Sequence, residues 1–522
     1  MRKSGILAHP TSFPSKYGIG DLGKGAYEFV DFLEKSGQKL WQILPLGQTS
    51  FGDSPYQSFS AFAGNIYIIS PDIFVKKGYL SKKDIEIVPE FDEKNVEYGK
   101  VINYKMSLFR TAFKKFKENK EYLDFCDKNA FWLEDYSLFM SLKNYFIEQR
   151  KNTYESAEYK AYYSANEKKV ELNAIKDCFY GGAWNSFPED IRDRKPKAVE
   201  KYKKLLKSEI DFYKFLQYEF FTQWQELKEY ANEKEIEIIG DIPIFVAEDS
   251  ADVWSNRNLF SLDTKGFPKV VAGVPPDYFS ADGQLWGNPL YDWKEHSKTD
   301  YDWWTKRIEN AFKLCDIVRI DHFRGFESYW EIPYGDTTAI NGEWVKGPGI
   351  KLFNAIKESL GEINVIAEDL GFLTKEVKEF LEETGFPGMK VLQFAFDERE
   401  ESNYLPHTYT NNCIAYTGTH DNDTFRGWFE LTGNKSDVKY CKEYLALTEE
   451  EGYNWGFIRG AWASVADVSI ALMQDFLNLG NETRVNFPST LGGNWKWRIK
   501  EGSYNTELAD KIYKYTKMYG RC

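Results

Sequence analysis

The sequence predicts an α/β fold built on a (β/α)8 TIM barrel, and three observations carry that expectation. Short β-rich runs alternate with amphipathic helical stretches, the runs number eight, and three of them end in carboxylates. Alternating strands and helices imply parallel strands joined by crossovers. Eight such strands close a barrel rather than an open sheet, and the carboxyl ends of barrel strands are where catalytic groups sit.

Residues 23–36 place Ala26, Phe29, Val30 and Leu33 at helical spacing and stop at Gly37. The run Leu40–Pro45 then reads as a short buried strand, and Tyr67–Ser70 as a second. From about 73 to 235 the chain is rich in Lys and Glu and carries long helical periodicities, such as Phe212, Phe215, Leu216, Phe220 and Trp224. This predicts a mainly helical insertion within one catalytic unit spanning residues 1–522. Further strands are expected at Ile236–Gly240, Asp316–Ile320, Asn364–Ala367, Lys390–Phe396, Cys413–Thr417 and Arg484–Phe487, with helices over 302–314, 349–360 and 374–384.

Composition narrows the function. Of 522 residues, 42% are hydrophobic and 28% charged, within the globular range. A formal charge of −13, without a basic stripe interleaved with aromatics, speaks against nucleic acid. No run of 18 apolar residues occurs and the N-terminus lacks a signal-like apolar stretch, so no membrane partner is expected. Six scattered cysteines without a C-x-x-C pair suit a reducing, cytoplasmic setting. Aromatics reach 17%; most fill the core, and the remainder suits the apolar faces of sugar rings. No nucleotide-binding glycine motif, H-E-x-x-H or G-x-S-x-G occurs, so no cofactor and no metal site are expected.

The strand ends carry the chemistry. In Asp316–Gly325, period-2 geometry puts Arg319 and Asp321 on one side and Val318 and Ile320 on the other. A guanidinium beside a carboxylate favours the anion that a nucleophile requires. Asn364–Gly371 puts Glu368 directly after an apolar strand, followed by Asp369. Tyr416–Asp423 ends in a dense polar cluster with His420 and Asp421. Taken singly, these also read as an ion pair, a helix cap and an Asx-rich turn. At one barrel mouth they describe retaining glycoside chemistry, in which two carboxyls about 5 to 5.5 Å apart form and break a covalent glycosyl intermediate.

At these residues the sequence resembles glycoside hydrolase family 77, the amylomaltases, within the α-amylase superfamily. The resemblance rests on Val318–Gly325, Ala367–Gly371 and Gly418–Asp423. It extends to Gly5–Leu7, Tyr17–Gly23, Trp41–Leu46, Ser54–Ser58, Gly240–Val246, Gly273–Phe279 and Gln284–Pro289.

The resemblance implies Asp321 as nucleophile, Glu368 as general acid/base and Asp421 as the third carboxylate, gripping hydroxyls of the transferred sugar. Arg319 and His420 match donor-sugar contacts, Asp241 sits at the matching strand-end position after the helical insertion and joins the expected substrate-binding set, and Tyr56 matches a substrate-contacting tyrosine. Tyr278, Phe279 and Trp286 match a loop overhanging the cleft. Ser54, Asp369 and Gln284, from the same motifs, complete the expected substrate-binding set. The implied substrates are maltooligosaccharides, amylose or starch-type α-1,4-glucans, with glucose as an acceptor. After Asp241 comes Ile-Pro-Ile-Phe-Val rather than the amylase Asn-His, so no calcium is implied, and no C-terminal β-sandwich is expected. A hydrolase using the same carboxylates is the enzymatic rival; a catalytically dead glucan-binding protein is the other.

Overall fold

The computed structural model describes residues 2–49, 51–155, 182–276, 280–371, 373–397, 402–488, 490 and 492–522. Among the described residues twelve strands occur: β1 (Lys3–Leu7), β2 (Leu40–Gln42), β3 (Glu237–Ile242), β4 (Val270–Val274), β5 (Gln284–Pro289), β6 (Ile317–Ile320), β7 (Ser328–Pro333), β8 (Glu343–Lys346), β9 (Val365–Ala367), β10 (Gly388–Val391), β11 (Cys413–Tyr416) and β12 (Val468–Leu472). Eight form one parallel sheet in the order β10-β11-β12-β1-β2-β3-β6-β9. The Ala367 N–H donates to Pro387 O at 3.0 Å and brings the ends of this sheet together as a barrel.

Alternation along each strand sorts the core. Leu7, Leu40, Ile239, Ile366, Met389, Val391, Ile414, Tyr416, Ile470 and Leu472 cluster inside the barrel. Their neighbours Ile6, Trp41, Ile238, Val318, Ile320 and Val365 belong to the larger core shared with the surrounding helices. Arg319, between Val318 and Ile320, therefore points inward, and Asp321 continues the inward row. The interior is apolar below and becomes polar at the strands' carboxyl ends.

Two expected strands are absent, and two others complete the eight. Ile66–Ile68 is a single 3-10 turn, because Asn65 caps it through the Tyr67 N–H at 3.0 Å and Pro71 starts a helix just beyond. Arg484–Phe487 wraps around the loop after β11 instead of joining a ladder: the Arg484 guanidinium donates to Asn486 O and to Asp421 O. Their places are taken by β1 and β12. In β1 the small and polar Ser4 and Gly5 hide the pattern. A Cβ at Gly5 would lie 2.5 Å from Leu40 O and 2.8 Å from Ile470 Cδ1, so close strand packing explains that residue.

Between β2 and β3 the described residues form helices, chiefly Tyr98–Phe113, Ala130–Glu155 and Lys207–Glu233. They brace the loop that carries Tyr56. Gln217 takes the Gly64 N–H at 2.8 Å and donates to Gly64 O at 3.0 Å, while the Tyr136 hydroxyl donates to Gln48. Trp224 ties the same helix to the barrel through Leu314 O at 2.7 Å. A second, antiparallel sheet, order β5-β4-β7-β8, was not expected; it stands beside the mouth and carries Gln284 and Trp286 on β5.

Candidate active site

Strand register sets the polar layer. Asp241 on β3 pairs with Arg319 on β6, and Arg319 with Ile366 on β9. Asp321 and Glu368 follow immediately, held by Asp321 N–H to Ile242 O at 3.0 Å and Glu368 N–H to Ile320 O at 3.1 Å. Two carboxylates one residue beyond neighbouring strands thus arrive side by side.

Arg319 is the hub. One terminal nitrogen lies 2.6 Å from Asp241 Oδ2 and the other 3.1 Å from Asp321 Oδ1, and its Nε donates to Met389 Sδ at 3.4 Å. The Tyr56 hydroxyl donates to the same Asp241 oxygen at 2.8 Å. The turn that presents Tyr56 is tied by its own N–H to Ser54 Oγ at 3.2 Å. The Tyr56 ring stacks on His420, centroids 5.1 Å apart at 16°, and Trp495 lies against both rings.

Glu368 is clamped through both oxygens, accepting the His322 N–H at 2.7 Å and the Leu370 N–H at 2.8 Å. His322 can aim its N–H there because its φ is +49°, a left-handed conformation strained for a bulky residue. Asp421 follows β11; its Oδ1 accepts from Asn486 at 2.6 Å and lies 3.3 Å from His420 Nε2. Asp369 turns toward β10, where it accepts the Met389 N–H at 2.6 Å.

The electrostatics depart from the simple expectation for an Arg–Asp pair. Burial, then the negative charges of Asp241, Glu368 and Asp421, push Asp321 well above the usual carboxylate range, against the pull of Arg319. Its side chain keeps 28% exposure, so water at the mouth tempers the rise. Burial raises Glu368 as well, opposed by Arg319 and the two backbone donors. The two carboxyls titrate together and hold a proton above the ordinary range; the Arg319 contact favours the anion on Asp321. Burial lowers His420, with Asp421 opposing, so its ring is neutral near pH 7.

The structure brings Asp241, Arg319, Asp321, Glu368, His420, Asp421, Tyr56 and Ser54 to one mouth. Trp286 meets His322 edge-on at 4.8 Å, and its N–H donates to Gln284 Oε1 at 3.1 Å. Tyr278 and Phe279 lie outside the described residues. Sequence reasoning missed the His322 backbone donor, Asn486 and Trp495. Asn486 stands 65 positions from its partner Asp421, and no local pattern marks such a pair.

A family model described as 4-alpha-glucanotransferase matches residues 8–503. A 4-alpha-glucanotransferase of Clostridium butyricum is 55% identical, covering 98% of this chain and 100% of the relative. One from Streptococcus pneumoniae serotype 4 is 47% identical over 100% of this chain and 97% of its own. Among solved structures, the amylomaltase from Streptococcus agalactiae in complex with acarbose superposes with a TM-score of 0.91 at 39% identity, covering all of both chains. The chain belongs to glycoside hydrolase family 77, the 4-alpha-glucanotransferases.

Proposed function

We propose that this site transfers 1,4-α-glucan segments between maltooligosaccharide or starch chains, or to glucose, with retention, through an ester on Asp321. The Arg319 bridge between Asp241 and Asp321 is the observation that carries the reading, because it sets an oriented carboxylate next to the clamped Glu368. An Asp321 oxygen attacks the anomeric carbon while the bond to the leaving sugar breaks and the Glu368 proton passes to the departing oxygen. The 4-hydroxyl of an acceptor then attacks the same carbon, Glu368 takes its proton, and the Asp321 ester is released.

Asp421, His420, Arg319, Tyr56 and Asp241 bind the donor sugar, while Trp286 and the loop before it hold the acceptor. Ser54 sets the Tyr56 turn, Asp369 steadies the Glu368 segment from β10, and Gln284 orients the Trp286 indole. We read the whole chain as one catalytic barrel, with 73–235 as its helical insertion, acting in the cytoplasm without a cofactor.

Incubation with pure maltotriose tests this. Glucose together with maltopentaose and longer chains should appear while the number of reducing ends stays nearly constant. Reducing ends rising in step with consumption, with no product longer than the substrate, would replace transfer by hydrolysis.

A further inference from the structure

Asp421 is more open to solvent than Asp321, its side chain 44% exposed against 28%, so packing does little to aim it. Its Oδ1 accepts from Asn486 Nδ2 at 2.6 Å and faces His420 Nε2 at 3.3 Å. The Asn486 amide is the closer of the two and fixes the carboxylate's direction.

Asn486 is itself held from one place. The segment 484–486 lies along the backbone of His420 and Asp421: the Asn486 N–H donates to His420 O at 3.1 Å, and one Arg484 terminal nitrogen donates to Asp421 O at 2.5 Å. The Arg484 Nε donates to Asn486 O at 2.8 Å, and its other terminal nitrogen pairs with the Asp423 carboxylate. One side chain therefore holds both the main chain of Asp421 and the main chain of the residue that aims the Asp421 carboxylate. The Val485 carbonyl takes the Trp495 N–H at 2.7 Å, which joins the same segment to the ring lying against His420 and Tyr56.

Three acceptors spread around one plane suit a guanidinium, whose N–H groups form a rigid fork, and not an ammonium, which is a point charge. The plane is held: the guanidinium carbon lies 4.1 Å from the centre of the Phe487 ring, and the side chain is 14% exposed, so water competes little for its bonds. An ion pair with Asp423 would occupy one nitrogen and leave the other two contacts unexplained.

We propose that Arg484 is a positioning residue for transfer: by holding the Asp421 carbonyl and the Asn486 backbone at once, it aims the Asp421 carboxylate at the donor sugar. The inference deepens the glucanotransferase reading above and rests on Asp421 gripping that sugar. Misplacing such a group by about an ångström can cost on the order of 100-fold in rate.

A double-mutant cycle separates this role from general stability. kcat/KM for transfer from maltotriose, and Tm, are measured in wild type, Arg484→Ala, Asp421→Ala and the double variant. Arg484→Ala should cost about 30-fold in the wild-type background and less than about three-fold once Asp421 is gone, because the group it aims is then absent. Arg484→Lys keeps a charge opposite Asp423, so it should hold Tm near wild type and still lose about ten-fold; it takes the place of alanine in the cycle should the alanine variant not fold. Equal losses in the two backgrounds, or an Arg484→Lys enzyme as active as wild type, overturn the inference. An Asp421→Ala enzyme that keeps more than about a tenth of wild-type kcat/KM removes the role of Asp421, and this inference with it. A wild type that makes no chain longer than maltotriose brings down the transfer reading itself.

Discussion

Around Tyr56 and His420 charged and polar groups clasp one another, whereas the described contacts of Trp286 are two rings and a single hydrogen bond. Asp241 receives both a guanidinium and a phenol, Asp421 is gripped by Asn486, and Tyr56, His420 and Trp495 stack as three rings. Among the described residues Trp286, by contrast, meets His322 edge-on and Phe245 tilted at 6.5 Å, and shares one hydrogen bond with Gln284. The difference fits the two tasks proposed for these groups. The donor sugar must be held while its bond is remade, so rigid preorganised contacts there lower the barrier. Acceptors must enter and leave at every turnover, and a wall of ring faces admits chains of many lengths.

The harshest way to break the comparison is at the donor floor. Asp321→Asn should lower turnover by at least roughly 10³-fold while Tm and maltooligosaccharide binding stay near wild type, because volume and most contacts persist. More than a few per cent residual activity, with deamidation excluded by mass spectrometry, would refute the assignment. Glu368→Gln should differ with a glycosyl fluoride, whose leaving group needs little protonation. A covalent adduct should accumulate on Asp321, and failure to trap one speaks against the paired roles.

A gentler cut removes one charge from the hub. Asp241 is among the anions that raise Asp321, and it shares Arg319 with it. Asp241→Asn takes away that repulsion and leaves Arg319 to Asp321 alone, so both effects lower the pH at which the carboxyl pair loses its proton. The basic limb of the kcat/KM profile should move to lower pH, together with a loss of tens of fold in rate. A limb that stays in place or moves upward would show that Asp241 does not act on the pair.

On the acceptor wall the effect should be smaller and of another kind. Trp286→Ala should lower the ratio of transfer to hydrolysis by about five-fold, since stacking an acceptor ring is worth ~1 kcal/mol and water needs none of it. Measured by reducing ends against chain-length products, an equal fall in both reactions would place Trp286 with the donor groups instead.

How much of this was legible follows from the same contrast. Arg319, Asp321 and Glu368 announce themselves because a strand's period of two and its carboxyl end are local signals. Eight strands were countable, yet Tyr67–Ser70 and Arg484–Phe487 were apolar or β-branched runs that a cap and a guanidinium turned to other uses. In β1 and β12, close packing favours small residues that blur the pattern. The Asn486–Asp421 bond, the Trp495 stack and the left-handed His322 are products of tertiary folding, invisible to any window a few residues wide. The upward shift of Asp321 was missed for the same reason: Arg319 is adjacent in sequence, whereas the burial and the other three carboxylates are assembled only by the fold.

A change in stability rather than in rate tests whether the clasped wall depends on a neutral histidine beneath it. His9 is 8% exposed, and its Nδ1 accepts the Leu44 N–H at 3.2 Å, which a protonated Nδ1 could not do. Burial, with His420 adding, lowers its pKa from 6.5 to about 3. The folded-state value lies below the unfolded one, so the unfolded chain takes up the proton first. The stability His9 contributes is complete above pH 6.5 and is lost as pH falls from there toward 3, by at most about 1.4 kcal/mol for each pH unit. His9→Asn keeps an acceptor for Leu44 but cannot titrate. Urea unfolding at pH 7.0, 6.0 and 5.0 should show wild type losing stability faster than the variant by up to that slope. Parallel curves would mean that His9 gives up its proton no more readily in the fold than in the unfolded chain, and that the wall does not rest on its neutrality.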